Sequence, residues 1–255
     1  MLPYYPQPTF RLGAFEIHAY GVTAALAVLV SGWIIVRRGR KAGLPGEDLF
    51  QLWFWMYLGA ALGAHLFSAV IDDFPRFLAD PSRVFHFHGI SSIGAGSVAF
   101  LAGILWSQAR RLSLFDSLRL LDIMAFAMPF TWTVGRLGCA LAHDHRGFAS
   151  TSWIAVRFPG GPRYDLGLIE FLLLIGMSAF FLLVDRQPRP VGFFTGLVGV
   201  VYGGIRICVG AFHLQPLRFL GGSVSVLIGL LVWTAMWAHA RARSREESKP
   251  APVAG

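Results

Sequence analysis

A run of four ionisable residues, from His143 to Arg146, could do acid–base chemistry. Histidine titrates near neutral pH, and an adjacent carboxylate such as Asp144 can orient it. The same His143, Asp144 and His145 could instead ligate a metal ion, although imidazoles two positions apart share one ion only on an extended chain. A solvated, hydrogen-bonded loop is the third interpretation. We predict that His143, Asp144 and His145 are catalytic and that no metal ion or other cofactor is needed.

Two arginines, Arg136 and Arg206, lie within apolar runs of the sequence. A charge in hydrocarbon costs several kcal/mol, so such residues normally face a cavity or a partner. One interpretation is that they pair with a buried acid, and Glu170 in another apolar run is a natural partner. The other is that the two guanidinium groups bind an anion, for which their planar donors are suited. We favour an anion site and include Glu170 in it.

The composition requires a membrane environment for these residues. The chain has 255 residues, of which 55% are hydrophobic and 14% charged, and its mean hydropathy is +0.57. Soluble domains carry roughly 25% charged residues. The net charge of +8 does not indicate nucleic acid binding, because most basic residues flank apolar runs. Two cysteines form neither a disulfide framework nor a paired metal motif.

Apolar runs of about 20 residues predict an all-α, polytopic protein. The seven predicted spans are residues 17–36, 50–71, 89–106, 118–137, 166–184, 191–212 and 220–238. We expect residues 1–240 to form a single transmembrane domain, without a cleavable signal peptide, and residues 241–255 to be a disordered tail. The polar residues near the outer ends of the spans predict an outward-facing lipid cavity for a phosphate-bearing head group.

The distribution of basic residues predicts the orientation of the spans. Thirteen Lys and Arg residues fall on the side of the C-terminus and seven on the side of the N-terminus. Because cytoplasmic loops are enriched in Lys and Arg, we place the N-terminus outside and the C-terminus in the cytoplasm. Membrane lipids are then the expected surroundings.

Five short motifs, in order, resemble those of the prolipoprotein diacylglyceryl transferase family. The motifs are Tyr20–Gly21, Gly89–Gly94, Gly135–Gly147, Leu166–Glu170 and Tyr202–Arg206. Members of that family are seven-span enzymes of the bacterial inner membrane. They move diacylglyceryl from phosphatidylglycerol to the thiol of a lipobox cysteine in a preprolipoprotein, with glycerol-1-phosphate as the leaving group. The resemblance covers roughly residues 15–215.

The resemblance implies roles for individual residues. Arg136 and Arg206 would hold the phosphate of phosphatidylglycerol, with Tyr20 near the head group. Asp144 stands where the family has a glutamate, and Gly147 matches a signature glycine. We therefore predict a lipid- and phosphate-binding site that comprises Arg136, Arg206, Tyr20, Gly147 and Glu170.

One departure from the family bears on catalysis. Ile93 stands where the family has a histidine, which leads to the hypothesis that His143 or His145 supplies the missing proton-handling group. Two alternatives stay open: a related lipid-head-group transferase with another acceptor, and a non-catalytic phospholipid-binding membrane protein.

Overall fold

Helices make up most of the described chain. The structure is a computed structural model that describes residues 1–13, 15–71, 74–86, 91–212, 223, 226–236 and 238, without the side chains of residues 15, 71, 92 and 93. The helices are α1 (Ala19–Lys41), α2 (Gly46–Leu66), α3 (Phe74–Ala79), α4 (Ser92–Ala109), α5 (Leu114–Ala142), α6 (Leu166–Val184), α7 (Phe193–Gly210) and α8 (Val226–Met236). A π-helical turn follows α2 at Phe67–Ile71, and a 3-10 helix covers Pro81–Phe85.

Four helical segments of the described residues are long and apolar enough to cross a membrane. They are Ala19–Lys41, Gly46–Val70, Leu166–Val184 and Phe193–Gly210. They overlap the predicted spans 17–36, 50–71, 166–184 and 191–212, so the helical membrane class is supported.

The other three predicted spans are not among these four. Spans 89–106 and 118–137 overlap α4 and α5, and span 220–238 lies partly outside the described residues, as does the whole predicted tail 241–255. Seven spans around a lipid cavity therefore stay a prediction, as does a single domain over residues 1–240.

Two small antiparallel sheets depart from the all-α prediction. The strands are β1 (Thr9–Leu12), β2 (Phe15–His18), β3 (Arg146–Ala149), β4 (Val156–Phe158) and β5 (Gly161–Asp165). β1 pairs with β2, and the second sheet has the order β3-β5-β4. The sequence did not indicate them because strands of three to five residues are too short for a clear alternation of apolar and polar positions.

The described residues divide into two compact units. One contains residues 32–120, in which α2 and α4 pack through glycines. A Cβ atom added to Gly63 would lie 2.3 Å from the carbonyl oxygen of Gly94, and one added to Gly94 would meet Gly63 in the same way. Such close backbone approach is typical of packing between apolar helices, where small residues form the contact.

The other unit contains residues 1–31 and 121–255 and holds the candidate site. Its core includes Phe126, Phe181 and Phe194, whose ring centroids lie 5.0–6.4 Å apart. Asp122 of α5 accepts hydrogen bonds from the backbone N–H and the hydroxyl of Thr195, at 2.9 and 3.2 Å. This carboxylate therefore satisfies a free N–H in the first turn of α7 and fixes α7 against α5.

Two glycines bring α1 and α6 against α5. A Cβ atom on Gly138 would lie 2.2 Å from Oγ1 of Thr23, and one on Gly167 would lie 3.0 Å from the backbone of Cys139. Helix α5 continues to Ala142, five residues beyond the predicted end of its span at Leu137. The run from Gly135 to Ala142 is thus helical, and within it Gly138 faces α1 while Cys139 faces α6.

Candidate functional site

The carboxylate of Glu170 is the centre of the site. Its Oε2 atom lies 3.0 Å from Nη1 of Arg206 and 3.2 Å from Nη2 of Arg136. The Glu170 side chain is buried, and the two arginines are 22% and 16% exposed. Three helices supply these groups: α5 carries Arg136, α6 carries Glu170 and α7 carries Arg206. The pairing that the sequence left open therefore involves both arginines with one acid.

This arrangement gives the three-residue cluster a net positive charge. Two guanidinium groups share a single carboxylate, so the cluster of Arg136, Glu170 and Arg206 carries a net charge of about +1. Each guanidinium has five N–H donors, and the carboxylate engages only some of them. The remaining donors suit a singly charged phosphodiester. Pairing with an acid and binding an anion are thus compatible interpretations of the same residues.

Tyr202 belongs to the site, although the sequence analysis gave it no role. Its hydroxyl donates to Oε1 of Glu170 at 3.0 Å, and its ring lies 4.0 Å from that of Trp132. A sequence signal existed, because Tyr202 precedes Arg206 by one helical turn and therefore shares its face of α7. Both oxygens of the Glu170 carboxylate are engaged as a result.

Tyr20 and Gly147 make close contacts with other elements of the same unit. Tyr20 lies in the first turn of α1, where its backbone and ring face Gly138 of α5. Gly147 is buried in β3, and a Cβ atom there would lie 2.9 Å from the carbonyl oxygen of Phe212. A side chain at position 147 would therefore displace the backbone that follows α7.

The two histidines of the run from His143 to Arg146 have different surroundings. His143 has a left-handed backbone conformation, with φ of 53°, directly after the last residue of α5. Its Nδ1 lies 2.5 Å from Oδ2 of Asp165, and its Nε2 lies 3.0 Å from the carbonyl oxygen of Tyr5. The rings of Tyr4 and Phe158 pack against it at 5.1 and 5.4 Å.

Asp165 connects His143 to α6. It is 1% exposed, and its second carboxylate oxygen accepts a hydrogen bond from the backbone N–H of Leu168 at 3.1 Å. The first residues of the chain are held nearby, because Leu2 exchanges backbone hydrogen bonds with Ala155 and Arg157. The N-terminal segment, the sheet and the start of α6 are therefore joined around one imidazole.

His145 forms a pair with its neighbour instead. Its Nδ1 lies 2.5 Å from Oδ1 of Asp144, and the two side chains are 29% and 36% exposed. A ring nitrogen of His145, a carboxylate oxygen of Asp144 and Sγ of Cys139 all lie within 4.8 Å of one another. Arg136 donates to the same sulfur atom at 3.6 Å. Cys139 thus lies between the Asp144–His145 pair and the Arg136–Glu170–Arg206 cluster.

The grouping of Cys139, Asp144 and His145 has ligand atoms that a metal ion could use. However, two ligands of one tetrahedral zinc ion lie roughly 3.3 Å apart, whereas the Asp144 and His145 atoms are at hydrogen-bonding distance. The guanidinium of Arg136 would also repel a cation. We assign no ion to these residues.

Comparison with known proteins gives the family. The profile described as prolipoprotein diacylglyceryl transferase matches residues 7–240. A phosphatidylglycerol–prolipoprotein diacylglyceryl transferase of Vibrio vulnificus (strain YJ016) is 30% identical over 257 residues, which is 93% of each chain. Proteins of the same name from Pseudoalteromonas atlantica and Sodalis glossinidius are 29% and 28% identical. The alignment with the first covers 83% of this chain and 76% of the relative, and the alignment with the second covers 86% and 84%.

The matched region includes all the residues of the site described above, from Tyr20 to Arg206. The similarity also extends over nearly the full length of the relatives and not over a single motif. This chain belongs to the prolipoprotein diacylglyceryl transferase family.

Proposed function

We propose that this protein transfers the diacylglyceryl group of phosphatidylglycerol to the thiol of a lipobox cysteine in a preprolipoprotein. The relatives carry the name of this activity and match the chain over most of its length. The product would be a thioether, and glycerol-1-phosphate would leave. The reaction therefore needs a site for a phosphodiester and a means of forming a thiolate.

The observation that carries the proposal is the sharing of one buried carboxylate by two arginines. Glu170 holds Arg136 and Arg206 at 3.2 and 3.0 Å, so their donors are fixed before a lipid arrives. When the carbon–oxygen bond breaks, negative charge grows on the departing phosphate. Preorganised cations at that position stabilise the transition state more than the ground state.

The other predicted site residues have supporting roles in this reaction. Tyr20 lies beside the lipid head group, and Gly147 keeps the outer sheet close to the residues that follow α7. Asp144 and one of the two histidines next to it handle the proton of the acceptor thiol. We propose that the enzyme lies in the bacterial inner membrane with seven spans, its lipid cavity open to the outside and its N-terminus there.

One sequence feature favours a second candidate. Ile93 replaces a histidine of the family, which is consistent with a lipid-head-group transferase that uses another acceptor. A non-catalytic phospholipid-binding protein would also retain the arginine cluster, because it would bind the same lipid phosphate. Both candidates share the anion site and differ only in what happens to the bound lipid.

The test uses the purified protein in phosphatidylglycerol vesicles with a lipobox peptide. Mass spectrometry detects a diacylglyceryl adduct on the peptide cysteine, and a serine-substituted peptide is the control acceptor. We expect an adduct on the cysteine peptide only, and its loss in Arg206→Gln and Arg136→Gln. Binding of phosphatidylglycerol without any adduct would contradict the transferase and favour one of the other two candidates. Unchanged lipid binding in both arginine variants would contradict the anion site itself.

A further inference from the structure

We infer that His145, oriented by Asp144, is the base that takes the proton from the acceptor thiol, and that His143 is a positioning residue. The inference rests on the proposed function and assigns different roles to two histidines that the sequence could not distinguish. It follows from the hydrogen bonds of each ring and from what lies beside it.

His143 has no nitrogen available for a substrate. The carbonyl oxygen of Tyr5 can only accept, so Nε2 of His143 must donate to it. The other nitrogen, Nδ1, faces the buried carboxylate of Asp165 at 2.5 Å. This contact occupies Nδ1 as well. The imidazole therefore joins the N-terminal segment to the first turn of α6, and taking up a substrate proton would require breaking one of these bonds.

His145 has one occupied and one available nitrogen. The bond of Nδ1 to Asp144 fixes the tautomer that carries a proton on Nδ1 and leaves a lone pair on Nε2. Within the described part of the chain, no residue hydrogen-bonds to Nε2. The His145 side chain is also 29% exposed, so an acceptor that arrives from outside the protein could reach it. An imidazole oriented by a carboxylate through one nitrogen, with the other free, is the arrangement that activates hydroxyl and thiol nucleophiles in other enzymes.

The pair lies next to the phosphate-binding residues. The sulfur atom of Cys139 is within 4.8 Å of the Asp144 and His145 ligand atoms and 3.6 Å from Arg136. Arg136 is in turn 3.2 Å from Glu170. The Asp144–His145 pair and the cation cluster are thus separated by one small side chain, that of Cys139.

The step balances as follows. The acceptor S–H proton moves to Nε2 of His145, and the thiolate attacks the carbon of the diacylglyceryl group that is bonded to the phosphate oxygen. A C–S bond forms, the C–O bond breaks, and the electron pair leaves with glycerol-1-phosphate on Arg136 and Arg206. The imidazolium then returns its proton to the departing phosphate or to water, so no oxidant or reductant is needed.

The experiment compares His145→Gln, His143→Gln and the exposed control His18→Gln in the vesicle assay. Each variant is offered a lipobox peptide with cysteine and the same peptide with selenocysteine. A selenol is a stronger acid than a thiol and is ionised at neutral pH, so it needs no base. For His145→Gln we expect a loss of at least 100-fold with the cysteine peptide and at most 5-fold with the selenocysteine peptide. For His143→Gln we expect a lower melting temperature, and less than a 5-fold change with either peptide per folded protein.

The outcomes separate the inference from the proposed function. No adduct in the unaltered protein contradicts the transferase. An active unaltered protein whose His145→Gln variant keeps its activity overturns the base assignment alone. An equal loss with both peptides also overturns it, because a structural role would not be rescued by the selenol. If His145→Gln does not fold, His145→Gly with added imidazole gives the same decision: restored transfer supports the base, and no restoration with intact phosphatidylglycerol binding contradicts it.

Discussion

At the scale of single residues, the site depends on one buried carboxylate that two arginine side chains share. A buried carboxylate with one guanidinium would be neutral, and two guanidinium groups alone would repel each other. Glu170 is only 2% exposed and engages Arg136, Arg206 and Tyr202 together. It therefore fixes the positions of both cations while it leaves charge for a ligand.

Replacement of this acid tests the positioning. Glu170→Gln keeps the shape of the side chain but removes the charge that both arginines share. We expect kcat/KM for diacylglyceryl transfer to fall by 10- to 100-fold, which corresponds to about 1.4–2.8 kcal/mol, while phosphatidylglycerol binding persists. The adduct assay and a lipid-binding titration measure the two effects. Glu16→Gln, on the exposed strand β2, is the matched control, and a Glu170→Gln variant with full activity would contradict the role.

The hydroxyl of Tyr202 is expected to contribute less. Tyr202→Phe removes one neutral donor to Glu170 and keeps the ring against Trp132. A hydrogen bond to a charged group contributes roughly 1.5–3 kcal/mol to the free energy of unfolding, and only part of this is expected to affect the rate. We expect an approximately 10-fold lower rate and a lower melting temperature, measured by the adduct assay and thermal unfolding in detergent. A larger loss than that of Glu170→Gln would contradict this ranking.

At the scale of elements, glycines set the distances between helices. Gly138 allows α1 to approach α5, and Gly167 allows α6 to approach it. Arg136 and Cys139 lie on α5 within three residues of Gly138, and Glu170 lies three residues after Gly167. A change of helix separation at either glycine therefore moves a functional side chain.

Two glycines of α5 provide a matched pair of variants. In Gly138→Ala the new Cβ atom would lie 2.2 Å from Oγ1 of Thr23, whereas in Gly135→Ala it would meet nothing within 4 Å. We expect Gly138→Ala to cost about 1–3 kcal/mol and Gly135→Ala to be neutral or stabilising by up to about 1 kcal/mol. Thermal unfolding in detergent measures both.

A second substitution identifies the cause. Thr23→Ala removes the atom nearest to the new methyl group, so Gly138→Ala combined with Thr23→Ala should recover part of the lost stability. The backbone of Tyr20, 3.3 Å from the same position, prevents full recovery. Additive losses in the double variant would show that helix contact at Thr23 is not the reason for glycine at position 138.

At the scale of the whole molecule, the distribution of basic residues predicts the orientation in the membrane. The basic residues at the end of α1, including Arg38, Arg40 and Lys41, lie on the side predicted to be cytoplasmic. The sheet β3-β5-β4 and the Asp144–His145 pair lie in the segment predicted to be outside. An external location is required by the proposed function, because the acceptor peptide arrives from that side.

Cysteine labelling in intact cells tests this orientation. With Cys139 and Cys208 replaced by alanine, we expect an impermeant maleimide to label Ala149→Cys in β3. We expect it to label Gln187→Cys, in the segment between α6 and α7, only after the membrane is permeabilised. Labelling of both before permeabilisation, or of Gln187→Cys alone, would contradict the predicted topology.

The sequence by itself determined the class of protein and the positions of four helices that are long and apolar enough to cross a membrane. Apolar length and buried charge are local properties of a chain, so they can be recognised without a fold. The motifs of residues 20–206 were also sufficient for the family resemblance, which the family profile and the relatives confirmed.

Only the tertiary structure decided how these residues are paired. Glu170 could partner either arginine by sequence, and it partners both because α5, α6 and α7 converge on it. His143 and His145 are equivalent by spacing, yet one faces the buried Asp165 and the other the exposed Asp144. The physical reason is that a left-handed residue after α5 sets the direction of the His143 side chain, and that its partner Asp165 lies 22 residues further along the sequence. Contacts of that range are fixed by packing, which no local pattern encodes.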